Sequence, residues 1–68
     1  MKNEKEEQNS LVLGDFYRFH ANGLGIFYGN VYKITEKAIF VATTRGKNVT
    51  VAKKDVFDIR GEKGRVKI

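Results

Sequence analysis

Residues 38–60, AIFVATTRGKNVTVAKKDVFDIR, decide the fold of this 68-residue chain. A compact apolar run over 38–43 meets the short connection Thr44-Arg45-Gly46-Lys47, and 48–52 returns with Val49 and Val51 on one face, the pattern of a β-hairpin. Lys53-Lys54-Asp55-Val56 then breaks the alternation, which suits a single 3₁₀ turn, and 57–60 resumes as a short strand.

The same β-type signals continue upstream. Residues 11–13 approach the sheet, Gly14-Asp15 supplies a bend, and 16–21 forms a first strand in which Tyr17 and Phe19 alternate against Phe16, Arg18 and His20. Asn22-Gly23-Leu24-Gly25 makes a loop, and a long strand follows over 26–35. Gly29 lies inside that strand, where an interior glycine predicts a bulge or sharp bend. Thr35-Glu36-Lys37 turns the chain into the central hairpin. Downstream, Gly61-Glu62-Lys63-Gly64 is a further turn, and 65–68 alternates basic and apolar residues as either a sixth strand or a frayed tail. No segment carries a sustained helical period, so the chain is all-β.

A chain of this length supports one domain and one modest core. There is no Cys to cross-link it, and cores of this size rarely supply more than about 3–5 kcal/mol, so marginal stability or a dimer is expected. Residues 1–10 contain no apolar side chain after Met1 and mix charge signs, which predicts a flexible tail, with at most a marginal helical turn over 2–8. The domain is expected over 11–68. Absence of Cys fits a reducing compartment, and no apolar run is long enough for a signal peptide or a membrane span. The expectation is a soluble cytoplasmic protein.

The net charge of +5 is unevenly distributed. Lys2 and Lys5 against Glu4, Glu6 and Glu7 leave the first ten residues at −1 and the remainder at +6. From Arg45 onward, eight basic residues face Asp55, Asp58 and Glu62, an excess of +5 in the last third. Such a field attracts polyanions, nucleic acid or acidic protein surfaces, although it also serves simple solvation.

Three stretches carry a family resemblance. Gly14-Asp15-Phe16-Tyr17-Arg18-Phe19, Gly29-Asn30-Val31-Tyr32-Lys33-Ile34-Thr35 and Gly46-Lys47-Asn48-Val49-Thr50-Val51-Ala52-Lys53-Lys54-Asp55-Val56 look like the Gly-Asp-x-hydrophobic-x-hydrophobic, Gly-x-Val-x-x-Ile and strand-then-3₁₀ stretches of Tudor-like and KOW-like domains. Together they resemble the SH3-like (Src-homology-3-like) small barrels over residues 13–60. The resemblance implies a single, strongly bent antiparallel barrel of five to six strands. It does not imply one activity, because this architecture hosts many unrelated roles. An aromatic cage for cationic groups would require Phe27, Tyr28 and Tyr32 to converge at one barrel end.

Eight aromatic residues exceed what so small a barrel can enclose, so some are expected on the surface. With Tyr17 and Phe19 inward, Phe16, Arg18 and His20 project outward, and aromatic plus basic groups on an open sheet face can stack bases and neutralise phosphate. Phe16 and Tyr28 are the stacking candidates. Arg18, Arg45, Lys47, Lys53 and Lys54 are the charged ones, with Arg45, Lys47, Lys53 and Lys54 read as one basic patch. Arg60, Lys63, Arg65 and Lys67 make a second basic stretch that reads as an arm able to order on nucleic acid.

Catalysis is poorly supported. His20 is the only His, there is no Cys, and the sole Ser is Ser10, so neither a nucleophile with its base nor a soft metal cluster can be assembled. Asp15 suits its own turn, while Asp55 and Asp58 suit the 3₁₀ connection and a strand edge. The glycines at 23, 25 and 29 do not open a helix and so make no phosphate-binding loop. The expected function is a non-enzymatic binding module without cofactor or metal, contacting DNA or RNA through a basic, partly aromatic face. The alternative is a protein-interaction module or small homo-oligomer that uses exposed aromatics or a sheet edge, with an acidic partner or a second copy.

Overall fold

The structure, a computed structural model, describes residues 10–62 and 64–66. The expected tail over 1–10 therefore lies, except for Ser10, outside the described residues, as do Lys63 and the end of the sixth segment. Six strands follow in order: β1 Phe16–Ala21, β2 Gly25–Ile34, β3 Ala38–Thr43, β4 Asn48–Ala52, β5 Val56–Gly61 and β6 Gly64–Arg65. A 3₁₀ turn, Lys53–Asp55, joins β4 to β5 at the position its broken alternation predicts. No helix is long and apolar enough to cross a membrane among the described residues.

All pairings are antiparallel, in the order β4-β3-β2-β1-β5-β6. The core lies on one face. Tyr17, Phe19, Ala21, Val31, Ile39, Val41, Val51, Ile59 and Val66 are buried. Among the described residues no second layer covers that face, so a sheet whose inner side chains are fully enclosed has to curl over them. Within this fold the six strands form one sheet that is not closed, because no ladder joins β4 to β6. A closed barrel is thus not what the described residues form: β6 pairs only Arg60 with Arg65 and Gly61 with Gly64, which is too little strand to reach across to β4.

Two glycines make room for the curl. A Cβ on Gly29 would fall on the Ala42 carbonyl and within 2.7 Å of Val41 Cγ1, and one on Gly61 would meet the Tyr17 ring at 2.7 Å. Gly29 pairs in regular register with Tyr17 and Thr43, so it is a site of close approach and not the expected bulge. The bulges lie elsewhere. Val31 pairs with Val41 and Lys33 with Phe40, which leaves Tyr32 as an extra residue in β2. Ala21 pairs with Val56 and His20 with Asp58, which leaves Phe57 as an extra residue in β5.

The segment before β1 is tied across its end. Gly14 N–H donates to the Val31 carbonyl at 2.6 Å, and Val31 N–H to the Asp15 carbonyl at 3.1 Å. The Asn30 side-chain amide donates to the Gly14 carbonyl, and the Val12 N–H to the Tyr17 hydroxyl oxygen at 2.9 Å. That last bond satisfies the polar end of a ring that is otherwise core.

Candidate nucleic-acid interface

Strand β1 places its two sets of side chains on opposite faces, as its alternation predicts. Tyr17 and Phe19 are buried, and Phe16, Arg18 and His20 stand on the outer face, with Phe16 49 % exposed. On β2 the residue beside Arg18 is Tyr28, and the Phe16 and Tyr28 rings stack with centroids 6.3 Å apart and planes 19° from parallel. Both rings are about half exposed. Three of the expected site residues, Phe16, Arg18 and Tyr28, therefore form one surface.

The other neighbour of β1 adds what the sequence left apart. Arg18 pairs with Arg60 on β5, and Arg60 with Arg65 on β6, so one cross-strand row reads Arg65, Arg60, Arg18, Tyr28. Directly opposed like charges destabilise a sheet. Here a single carboxylate answers three guanidiniums: Asp58 Oδ2 accepts from Arg18 Nη2 and Arg60 Nε, and its Oδ1 faces Arg65 Nε, all at 3.2 Å. Partial desolvation pushes the Asp58 carboxyl up, but hydrogen bonds from Arg60 and Arg18 and the charges of Arg60 and Arg65 outweigh it and hold the group below the usual carboxylate range. Among the described residues the cluster retains two uncompensated positive charges. Arg60 and Arg65 belong to the stretch read as a free arm, but the structure holds both in the β5–β6 pairing, while Lys63 and Lys67 lie outside the described residues.

A groove of about 730 Å³ runs beside this row, with Phe16, Arg18, Tyr28 and Arg60 on its wall and Asp15 and Glu62 also lining it. The remaining expected basic residues do not make one patch. Arg45 and Lys47 sit at the β3–β4 tip, whose Thr44 N–H donates to the Tyr28 carbonyl, so this tip borders the aromatic end of the row. Lys53 and Lys54 lie at the other end of β4, roughly 16 Å away at the usual rise of a strand, where Lys53 N–H donates to the Lys37 carbonyl.

The aromatic residues also divide. Phe27 stacks on Phe19 at 5.1 Å beneath the sheet, Tyr28 meets Phe16 above it, and Tyr32 meets Phe40 at 6.1 Å farther along β2. Phe27, Tyr28 and Tyr32 thus build no common cage. His20 and Phe57 meet edge-to-face at 5.1 Å on the same outer face as the arginine row, because the bulge turns Phe57 outward. Among the described residues no group of three or more His, Cys, Asp or Glu could hold a metal ion. No protein-family model, curated protein or solved structure matches the chain.

Proposed function

We propose that the chain is a small non-enzymatic SH3-like module that binds nucleic acid through the outer face of β2, β1, β5 and β6. The observation that carries the reading is the exposed Phe16/Tyr28 stack set against three arginines in one cross-strand row with one shared carboxylate. Stacked rings that stabilise no core offer π-faces, and underpaired guanidiniums offer bidentate donors to phosphate. The SH3-like assignment draws support from the strand order and from the single 3₁₀ turn between β4 and β5. Arg45 and Lys47 extend the positive border of this face, and Lys53 and Lys54 act only at longer range.

Titration of the full chain with single- and double-stranded oligonucleotides across a salt series tests the reading. With Asp58 offsetting one of the three arginines, the row neutralises about two phosphates, and log K falls against log salt with a slope of about −1.4 on a single strand and about −1.8 on a duplex. Replacing Arg60 by Gln lowers that slope by about one contact. Absence of binding to every oligonucleotide at low salt overturns the proposal.

One observation favours a second reading. The Lys53 N–H bond to Lys37 and the Thr43 N–H bond to Lys47 set the hydrogen-bonding phase, so Asn48, Thr50 and Ala52 turn their N–H and C=O groups away from β3. No strand lies beyond β4 among the described residues. That edge can add a partner strand, and the lysines at its two ends, Lys47 and Lys53, suit an acidic one. A complex held this way survives salt that dissociates phosphate contacts, which size-exclusion mass in high salt distinguishes.

A further inference from the structure

We infer that the ligand of the outer face is a single-stranded nucleic acid held over three nucleotides along β1, with the end bases on two separate aromatic pairs. The inference rests on the nucleic-acid reading above and specifies the ligand of that site. Its second anchor is His20 with Phe57; the sequence places His20 on this face but gives no sign of Phe57 beside it.

The spacing carries the argument. Phe16 with Tyr28 marks one end of the outer row of β1, His20 with Phe57 marks the other, and Arg18 lies midway. Phe16 and His20 are four residues apart, about 13 Å at the rise of a strand. Successive stacked bases rise about 3.4 Å, but bases splayed out onto separate aromatic platforms ride on an extended backbone, which roughly doubles that step to about 7 Å per phosphodiester. Two such steps cover the distance between the pairs. They place three nucleotides on the strand and two phosphodiesters over its middle, where the row Arg18, Arg60, Arg65 crosses.

The exposure of the rings selects the single strand. Phe57 is 65 % exposed, and Ile26, directly opposite His20, is 55 % exposed. In a duplex the base faces are covered by neighbouring bases and only the edges reach a groove, so flat rings on a sheet have nothing to stack on. Unpaired bases supply that face. The Phe57 bulge makes the second anchor possible: with regular alternation that ring would point beneath the sheet, alongside the side chain of Ile59.

The test is an NMR titration of the ¹⁵N-labelled full chain with thymidine oligonucleotides of two, three and six residues, the uridine trinucleotide, and a blunt duplex. The trinucleotide is expected to bind roughly 5- to 150-fold tighter than the dinucleotide, the gain of one stacked base, and to shift amides at both Phe16 and Phe57. The hexamer should gain only the few-fold expected from extra registers. Phe57→Ala should reduce trinucleotide affinity to that of the dinucleotide, with His20→Ala as a second variant; Phe57 stands on the surface, and spectral dispersion reports that each variant is folded. A trinucleotide no better than the dinucleotide, a duplex bound as tightly as the trinucleotide, or a folded Phe57→Ala with unchanged affinity overturns the three-nucleotide inference while leaving the broader reading intact. No shift with any oligonucleotide removes both.

Discussion

Two stacked aromatic pairs straddle the same two strands and do opposite work. Phe19 and Phe27, 5.1 Å apart, lie under the sheet with Phe19 wholly buried, whereas Phe16 and Tyr28, 6.3 Å apart, lie above it about half exposed. Burial of a large apolar side chain contributes about 1.5–3 kcal/mol, and the surface pair collects only part of that. The lower pair is explained by the fold. The upper one contributes little to the core and is the pair to which the proposed function assigns a ligand.

That contrast can be broken most severely from below. Phe19→Ala should cost about 3–5 kcal/mol, comparable to everything a core of this size provides, so the variant should lose its cooperative urea transition by circular dichroism. Gly29→Val comes next: its side chain must occupy space already held by Val41 and the Ala42 carbonyl, and a loss of about 1–3 kcal/mol should lower the urea midpoint. From above, Phe16→Ala should cost only about 1 kcal/mol in stability while weakening oligonucleotide binding by about 1–3 kcal/mol, which measures the asymmetry directly.

The smallest effect concerns Asp58. Its carboxyl is held below its ordinary value of 3.8, so the stability it contributes is complete above the unfolded-state pKa and disappears as pH falls through the folded one. Asp58→Asn should therefore unfold slightly more easily than the parent at neutral pH and low salt, and the gap should close below about pH 4. The same change frees three guanidiniums and should tighten oligonucleotide binding, in the direction opposite to its effect on stability. A variant that loses both would mean that the arginines need Asp58 for their positions.

Much of the framework is legible in local pattern. Tyr17 and Phe19 against Phe16, Arg18 and His20 place β1 correctly, and Val49, Val51 and the broken alternation at Lys53 place the hairpin and the 3₁₀ turn. What pattern alone misses is parity. Tyr32 and Phe57 each shift the face that following residues occupy, and such a shift is defined only against a partner strand, so Gly29 attracted an expectation that belonged to Tyr32. The arginine row is hidden for a related reason. Arg18 and Arg60 lie forty-two positions apart, and only the β1–β5 ladder makes them neighbours. Arg45, Lys47, Lys53 and Lys54 erred the other way: close in sequence, they are separated by the length of β4.

The shortest strand has a dynamic consequence. Arg65 joins the row only while β6 is docked, and among the described residues that docking shows two ladder pairs and Val66, which is buried and donates its N–H to the Ile59 carbonyl at 2.7 Å. Segments held by so few contacts open locally without global unfolding. Among the described residues the third arginine is thus supplied by the strand with the shortest ladder, so under the proposed reading a phosphate that engages Arg65 would also hold β6 docked, and the solvent exchange rate of the Val66 amide would report that occupancy.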